Sequence, residues 1–151
     1  MKQLGKQYIG LELSSATMRS EDLIPTFIDF LETVADQCEI TDEVEELKVE
    51  VDKLEFEENP SYGTYYTDES QEDASWILNE SIWDMLNQIA PDFTYFGAHP
   101  GDGACYGFWT DDESLKEAVL IRLGDLTEDS DLDEIQNTVN WASDLLNTHG
   151  F

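Results

Sequence analysis

Four residues could together suggest nucleophilic or metal chemistry: His99, Asp102, Cys105 and His149. A cysteine beside a histidine can form a thiolate nucleophile. Three of the four lie in the stretch FGAHPGDGACYGFW, where a proline and two glycines supply turn geometry. Nearby carboxylates would raise the pKa of a cysteine thiol and make it less reactive. We therefore predict a tight hairpin turn between aromatic strands and no enzyme, with catalysis by Cys105 and His99 as the alternative.

A second candidate site is a calcium loop, because Asp129, Asp131 and Asp133 alternate like the first ligands of an EF-hand. The pattern then fails, since Glu134 stands where the loop needs glycine and Asn140 where it needs glutamate. Helix capping explains the same aspartates. The chain also contains no zinc-ligand spacing, phosphate-binding glycine loop or serine-nucleophile elbow. The sequence thus predicts no metal and no cofactor.

The carboxylates themselves are the remaining candidates. The 151 residues include 35 Asp and Glu against 7 Lys and Arg, a net charge of −28. Residues 1–20 carry a net charge of +2, so the other 131 residues carry −30. Ordinary surfaces mix both signs, and a one-sign field destabilises the compact state through self-repulsion. A folded chain that tolerates this field is expected to use it.

Helices and strands would space these carboxylates at distances comparable with those between the phosphates of duplex DNA. Alternate residues of a strand lie about 6.6 Å apart and i,i+4 residues of a helix about 6 Å apart. Duplex DNA carries one charge per roughly 1.7 Å of axis, so two adjacent acidic elements approximate its phosphate repeat. The residues predicted to bind a partner are Asp42, Glu43, Glu45, Glu46, Glu50, Asp52, Glu55, Glu57, Glu58, Asp68, Glu69, Glu72, Asp73, Asp111, Asp112 and Glu113. Tyr62, Tyr65 and Tyr66 are candidate aromatic anchors, with packing of a loop as the equal alternative.

Charge and composition also exclude classes of partner. Phosphates would be repelled, so nucleic acid is not a direct partner, and anionic lipid is disfavoured for the same reason. The chain has no apolar run of 18 residues, and its N-terminus lacks the apolar stretch of a signal peptide. We expect a cytoplasmic protein. Two cysteines, Cys38 and Cys105, permit one disulfide without requiring it, and a homodimer is compatible with the sequence.

The elements that must position these residues follow from periodicity. Apolar residues at helical spacing predict a helix over about 21–36, with Ser20 as its N-cap. Three capping boxes predict further helix starts, at Ser70 with Asp73, at Thr110 with Glu113 and at Ser130 with Asp133. The first of these helices ends before Pro91, the second stops near Gly124, and the third carries the apolar stripe Leu132, Ile135, Val139, Ala142 and Leu146. Strands are predicted over 8–13, 93–97 and 105–109.

The segment 42–58 fits two structures. Val44, Leu47, Val51 and Leu54 suit a helix, whereas strict alternation over 47–52 and the β-branched residues suit a strand. We favour one long or bulged strand. Residues 59–69, with Pro60 and Gly63, are predicted to be a loop.

Together these elements predict an α+β fold, a single compact domain over 1–151 with a small antiparallel sheet and about four helices. In composition and size the chain resembles the small acidic DNA-mimic inhibitors that phages and mobile elements use against host defence, of the anti-restriction and anti-CRISPR types. The resemblance implies an inhibitor that fills the basic nucleic-acid channel of a nuclease or another DNA-binding protein. Two alternatives stay open: an immunity protein that neutralises a basic toxin nuclease, and an acidic housekeeping protein of a halophile.

Overall fold

A computed structural model describes residues 1–61 and 63–151. The α+β prediction is confirmed, with five helices and two small antiparallel sheets. The strands are β1 Glu12–Ser14, β2 Phe56–Asn59, β3 Gly63–Tyr66, β4 Thr94–His99 and β5 Asp102–Thr110. The helices are α1 Ser20–Cys38, α2 Thr41–Asp52, α3 (Asp68–Trp76, Ile77–Ile82 and Trp83–Ile89 in continuation), α4 Asp112–Gly124 and α5 Leu132–Thr148. None of the helices in the described ranges is both long and apolar enough to cross a membrane.

The predicted aromatic hairpin forms the three-stranded sheet. β4 and β5 pair antiparallel from Thr94 opposite Thr110 to His99 opposite Asp102, and β1 adds to the other edge of β5. The predicted strand over 8–13 starts too early, because Lys6–Tyr8 forms a 3₁₀ turn. A side chain at Gly107 would lie 2.2 Å from the Leu11 carbonyl oxygen, so the close approach of this segment to β5 requires glycine.

Helix α1 lies on this sheet and confirms the prediction over 21–36. The Phe27 ring packs edge-on against Phe96 of β4, with 5.1 Å between ring centroids, and against Tyr106 of β5 at 6.2 Å. Trp83 of α3 also packs against both of these sheet residues. The N-cap position is Arg19 and not the predicted Ser20, which is already helical. The core is therefore a sheet covered by α1 and α3.

The predicted long strand over 42–58 is wrong for residues 41–52, which form α2, and right for 56–58, which belong to β2. Val44 and Leu47 are buried, whereas Val49 is 56% exposed, so burial follows the helical spacing and not the alternation. Tertiary packing on α1 and α3 outweighs the β propensity of three valines. The acidic residues of α2 consequently spread around a helix and do not line one face of a strand.

The loop prediction over 59–69 is wrong at both ends, where Asn59 belongs to β2 and residues 68–69 to α3, and it is also wrong for residues 63–66. These residues form β3, which pairs with β2 from Phe56 opposite Tyr66 to Asn59 opposite Gly63. The Phe56 and Tyr66 rings stack with centroids 4.6 Å apart. A stacked aromatic pair at the open end of a hairpin stabilises two short strands that turn residues alone would not hold together.

Helix α3 contains a π-helical segment, Ile77–Ile82. This segment allows the residues before it and the residues after it to pack into the same hydrophobic core. A row of buried residues recurs every four positions along α3 and its C-cap, and Ile77 and Ile89 are buried beside it: the row is Ser70, Ala74, Leu78, Ile82, Leu86 and Ala90. A regular α-helix repeats every 3.6 residues, so positions four apart drift by about 40° per step and by about 200° over this run. The wider π turn absorbs one extra residue and removes about half of that drift.

The three predicted capping boxes mark helix starts in about the right places but on the wrong residues. Each observed cap accepts a hydrogen bond from the backbone N–H three positions later, at 2.7–3.2 Å. The caps are Thr67, Asp111 and Asp131. Aspartate caps as well as serine or threonine, and in an acidic chain several candidates stand side by side.

The predicted C-terminal stripe lies on α5, but the domain covers only part of it. Ala142 is buried and Ile135 and Leu146 are half-buried, whereas Leu132 is 83% and Val139 45% exposed. Helix α5 packs against α4 and meets the β4–β5 sheet through His149. These two helices lie outside the main core cluster, which extends from Leu4 to Phe108.

Candidate partner-binding surface

The solvent-facing side of α2 is almost entirely acidic. Burial of Val44 and Leu47 turns the opposite side of the helix outward. The six predicted acids of this helix are all exposed: Asp42, Glu43, Glu45, Glu46, Glu50 and Asp52. Asp42, Glu46 and Glu50 follow one another at i,i+4 spacing, which places each about 6 Å along the helix from the next.

Two lysines neutralise part of this side. Lys48 contacts Glu32 of α1 and lies 3.6 Å from Glu45, and a hydrogen bond from the Lys48 ammonium to Glu32 is the main cause of a raised pKa of that lysine. Lys53 lies 2.9 Å from Glu50. In the described part of the chain, Asp42, Glu43 and Glu46 have no such cation, so no ion pair offsets these three acids of α2.

The β2–β3 hairpin extends the acidic surface from α2 to α3. Its predicted residues Glu55, Glu57 and Glu58 are exposed. The base of the hairpin is fixed to the start of α3, because the Glu55 amide donates to the Ser70 hydroxyl at 2.9 Å and the Thr67 amide donates to the Glu55 carbonyl at 3.0 Å. The end of α2 and the start of α3 therefore occupy one connected region.

The first turns of α3 carry the second predicted cluster. Asp68, Glu69, Glu72 and Asp73 are exposed, and the positive end of the helix dipole stabilises the first two. Glu21 of α1 holds this region in place by accepting from the Tyr66 amide and from the Gln71 side chain, both at 3.1 Å. Desolvation alone would raise the pKa of Glu21, but hydrogen bonds from its own amide and that of Tyr66 hold it below its ordinary value. Glu21 is thus a structural carboxylate.

The third predicted cluster, Asp111 to Glu113, lies at the start of α4. Asp112 and Glu113 are exposed, whereas Asp111 is half-buried and caps the helix through Ser114. Burial raises the pKa of Tyr95, and the charges of Asp111 and Asp112 raise it further. Helix α4 packs against α5, so this cluster belongs to a part of the surface separate from the first two.

An exposed tryptophan lies beside the acids of α2, in the helix that was predicted to end before Pro91, and it was not among the predicted site residues. Trp76 is 62% exposed and borders a groove of about 700 Å³ between α2 and α3. Glu43, Glu46 and Glu50 line the groove, and Val49 and Met85 contribute apolar surface. Trp76 and Trp83 are one heptad apart and would share a face of a regular helix, but the π segment separates them. The local sequence does not separate the two tryptophans, because the rotation introduced by the π segment is a property of the folded helix.

The candidate anchors Tyr65 and Tyr66 differ in exposure. Tyr66 is only 1% exposed and stacks on Phe56, so it is a packing residue and not an anchor. Tyr65 is half-buried. Tyr62 lies outside the described residues.

Of the residues considered for catalysis, His99, Asp102 and Cys105 lie near the turn of the β4–β5 hairpin, and His149 lies apart from them. The ring of His99 accepts a hydrogen bond from the Gly101 amide at 2.9 Å within the turn, whereas His149 meets Thr110 at the opposite end of β5, also at 2.9 Å. Cys38 and Cys105 are both free thiols. Desolvation raises the pKa of Cys105, and the carboxylate of Glu12, to which the thiol hydrogen-bonds, raises it further. Both effects disfavour the thiolate form of Cys105.

The alternating aspartates fit the capping interpretation. Asp131 accepts from the Glu134 amide at 2.7 Å, and the Ser130 hydroxyl accepts from the Thr127 amide at 2.9 Å. Within the described residues, no group of three or more His, Cys, Asp or Glu side chains is arranged to hold a metal ion.

The candidate surface is thus an acidic face formed by α2, β2 and the first turns of α3, and the Trp76 groove lies beside it. No protein-family model, curated protein or solved structure matches this chain.

Proposed function

We propose that this protein is a DNA-mimic inhibitor that acts in the cytoplasm against a host-defence nuclease or another DNA-binding protein. It binds the basic nucleic-acid channel of its target and blocks it stoichiometrically. The observation that carries the proposal is the exposed acidic face over residues 42–73, in which 13 acidic residues stand against 2 lysines. The resulting net charge of −11 in 32 residues attracts a basic groove in the way that a phosphate backbone does.

The spacing of these charges supports mimicry over a diffuse attraction. Asp42, Glu46 and Glu50 recur about every 6 Å along α2, close to every second phosphate of a DNA strand, whose phosphates advance about 3.4 Å each along the axis. A second row starts in the first turns of α3 with Asp68 and Glu72. The helix backbones that carry both rows are fixed by the core, so little ordering entropy is lost on binding.

The proposal is tested by DNA displacement. Tagged protein is used to isolate binding proteins from cells in which it is produced, and each is purified and bound to a fluorescent DNA duplex. The protein should displace the duplex at one equivalent, and its affinity should fall steeply between about 50 and 200 mM salt, because counterions are released as they are from DNA. Simultaneous binding of DNA and this protein, or an affinity independent of salt, would refute the mimicry.

A charge-reversed variant and a matched control locate the effect. Glu46, Asp52, Glu58 and Glu72 are exposed, make no ion pair in the described part of the chain and avoid the first helical turns, so their joint replacement by lysine should preserve folding. The variant should lose displacement, since like charges now face the target. The control reverses four exposed acids elsewhere: Glu117, Glu128, Asp129 and Asp144. Equal losses in both variants would leave only a net-charge effect and would exclude a specific face.

A further inference from the structure

Trp76 differs from the other tryptophans because it lacks a partner. Trp83 packs on Phe96 and Tyr106, Trp109 donates to the Gly97 carbonyl at 2.9 Å, and Trp141 lies under the guanidinium of Arg122. Trp76, by contrast, has neither a ring partner nor a hydrogen-bond acceptor among the described residues, and it is 62% exposed. Exposed tryptophan next to a groove is the residue type that most often anchors a protein interface.

The surroundings of Trp76 specify the charge of the group that would cover it. Glu43, Glu46 and Glu50 line the groove on the α2 side, and Glu72 and Asp73 precede Trp76 by one turn of its own helix. In the described part of the chain, Glu50 is the only one of these carboxylates within ion-pair distance of a cation, which is Lys53. An apolar or anionic group would bury these carboxylates without compensation, so the occupant must be cationic.

The shape and lining of the groove then distinguish between cations. Val49 and Met85 offer apolar surface to an aliphatic stem, and the indole offers a flat face to the charged head. A guanidinium is planar, stacks on an aromatic ring and forks toward a carboxylate, whereas an ammonium is compact and more strongly hydrated. The protein already contains this contact, because the guanidinium carbon of Arg122 lies 4.3 Å from the centre of the Trp141 ring.

We infer that the groove between α2 and α3 receives an arginine side chain of the partner protein, with the guanidinium on Trp76 and its N–H groups toward Glu46 and Glu43. The inference rests on the proposed function in that the partner surface is basic. It adds that recognition is selective for arginine over lysine at one position of that surface.

The test compares tri-arginine amide with tri-lysine amide as probes of the whole protein. The indole N–H signal of Trp76, assigned by its absence in Trp76→Phe, should shift on addition of tri-arginine and much less with tri-lysine. Trp76→Leu keeps an apolar side chain and should weaken tri-arginine binding about two- to fivefold, the range of an exposed cation–π contact, while tri-lysine binding stays unchanged. Trp141→Leu is the matched control and should leave binding of both peptides unchanged.

Two results would overturn the arginine site: an unshifted Trp76 signal, or an equal loss for both peptides in Trp76→Leu. The proposed function fails in a separate way. If Trp76→Leu abolishes the arginine preference but the wild-type protein displaces no DNA from any target, the groove stands and the inhibitor role falls. If tri-arginine leaves the Trp76 signal unshifted while the wild-type protein displaces DNA, the arginine site falls and the mimicry stands.

Discussion

Neutralising Glu46 should stabilise the protein, because this residue lies among three like charges of its own helix. Its neighbours at i−4, i−3 and i+4 are Asp42, Glu43 and Glu50, and the position at i+3 is the uncharged Val49. Each like-charged pair at this spacing destabilises a helix by about 0.2–0.5 kcal/mol. Three such pairs give about 1 kcal/mol in favour of Glu46→Gln, equivalent to an increase of about 2–4 °C in the melting temperature of a domain of this size. Glutamine and glutamate have similar helix propensities, so the charge is the main change.

The assay is urea denaturation at about 20 mM and 1 M NaCl, since urea adds no ions of its own. Glu45→Gln is the matched control on the same helix. Its neighbours are Asp42 at i−3 and Lys48 at i+3, so attraction and repulsion oppose each other and stability should change little. The gain in Glu46→Gln should shrink in high salt, where the Debye length falls to about 3 Å.

Equal effects of the two substitutions, or a gain in Glu46→Gln that persists in 1 M NaCl, would refute the reasoning. Either result would mean that the acids of α2 do not repel one another in the folded protein. The acidic face would then not lower the stability of the folded protein.

Three further predictions concern other residues. Thr67→Ala removes the cap of α3 and should lower the free energy of unfolding by about 1 kcal/mol in denaturant titrations, whereas Thr67→Asp should restore it; an unchanged Thr67→Ala would show that the cap contributes nothing. Glu12→Gln should lower the pKa of Cys105, so that alkylation by iodoacetamide accelerates at a lower pH than in the wild type, and an unchanged pH profile would contradict the proximity of this carboxylate. Caesium should quench the fluorescence of Trp76 more than iodide does, because the surrounding carboxylates concentrate cations, and Trp76→Phe should remove that difference; stronger quenching by iodide would contradict a negative field.

Periodicity predicted most of the fold, and it failed where two periods coexist. The hairpin around His99, the helix over 21–36 and the helix ending before Pro91 each had one pattern and one set of boundaries, and all three are observed. Residues 42–52 satisfied both a helical and an alternating pattern. Contacts with α1 and α3, which are distant in sequence, decided between them, and no local signal contains that information.

The candidate surface was predictable in composition but not in shape. The exposure of its acids follows from their charge: 15 of the 16 predicted residues are exposed, and Asp111 is half-buried as a cap. Their grouping was not predictable, because the hairpin over 56–66 joins two clusters and leaves the third on α4. Trp76 was not among the predicted site residues, because its place beside the acids of α2 depends on packing between elements that are distant in sequence.

Because α3 contains a π segment, the direction in which Trp76 points relative to Trp83 depends on how many residues separate the two tryptophans. It depends less on which residues these are. Removing one residue, for example the exposed Asn79, would let Ile77–Ile82 close into a regular α-helix and rotate everything that follows by about 100°. Trp83 would then leave Phe96 and Tyr106, or Trp76 would turn away from the groove. Substitution of Asn79 should be harmless, whereas its deletion should disrupt either the core or the surface. Chains descended from a common ancestor with this one should therefore vary freely at Asn79 while keeping the interval of seven from one tryptophan to the next.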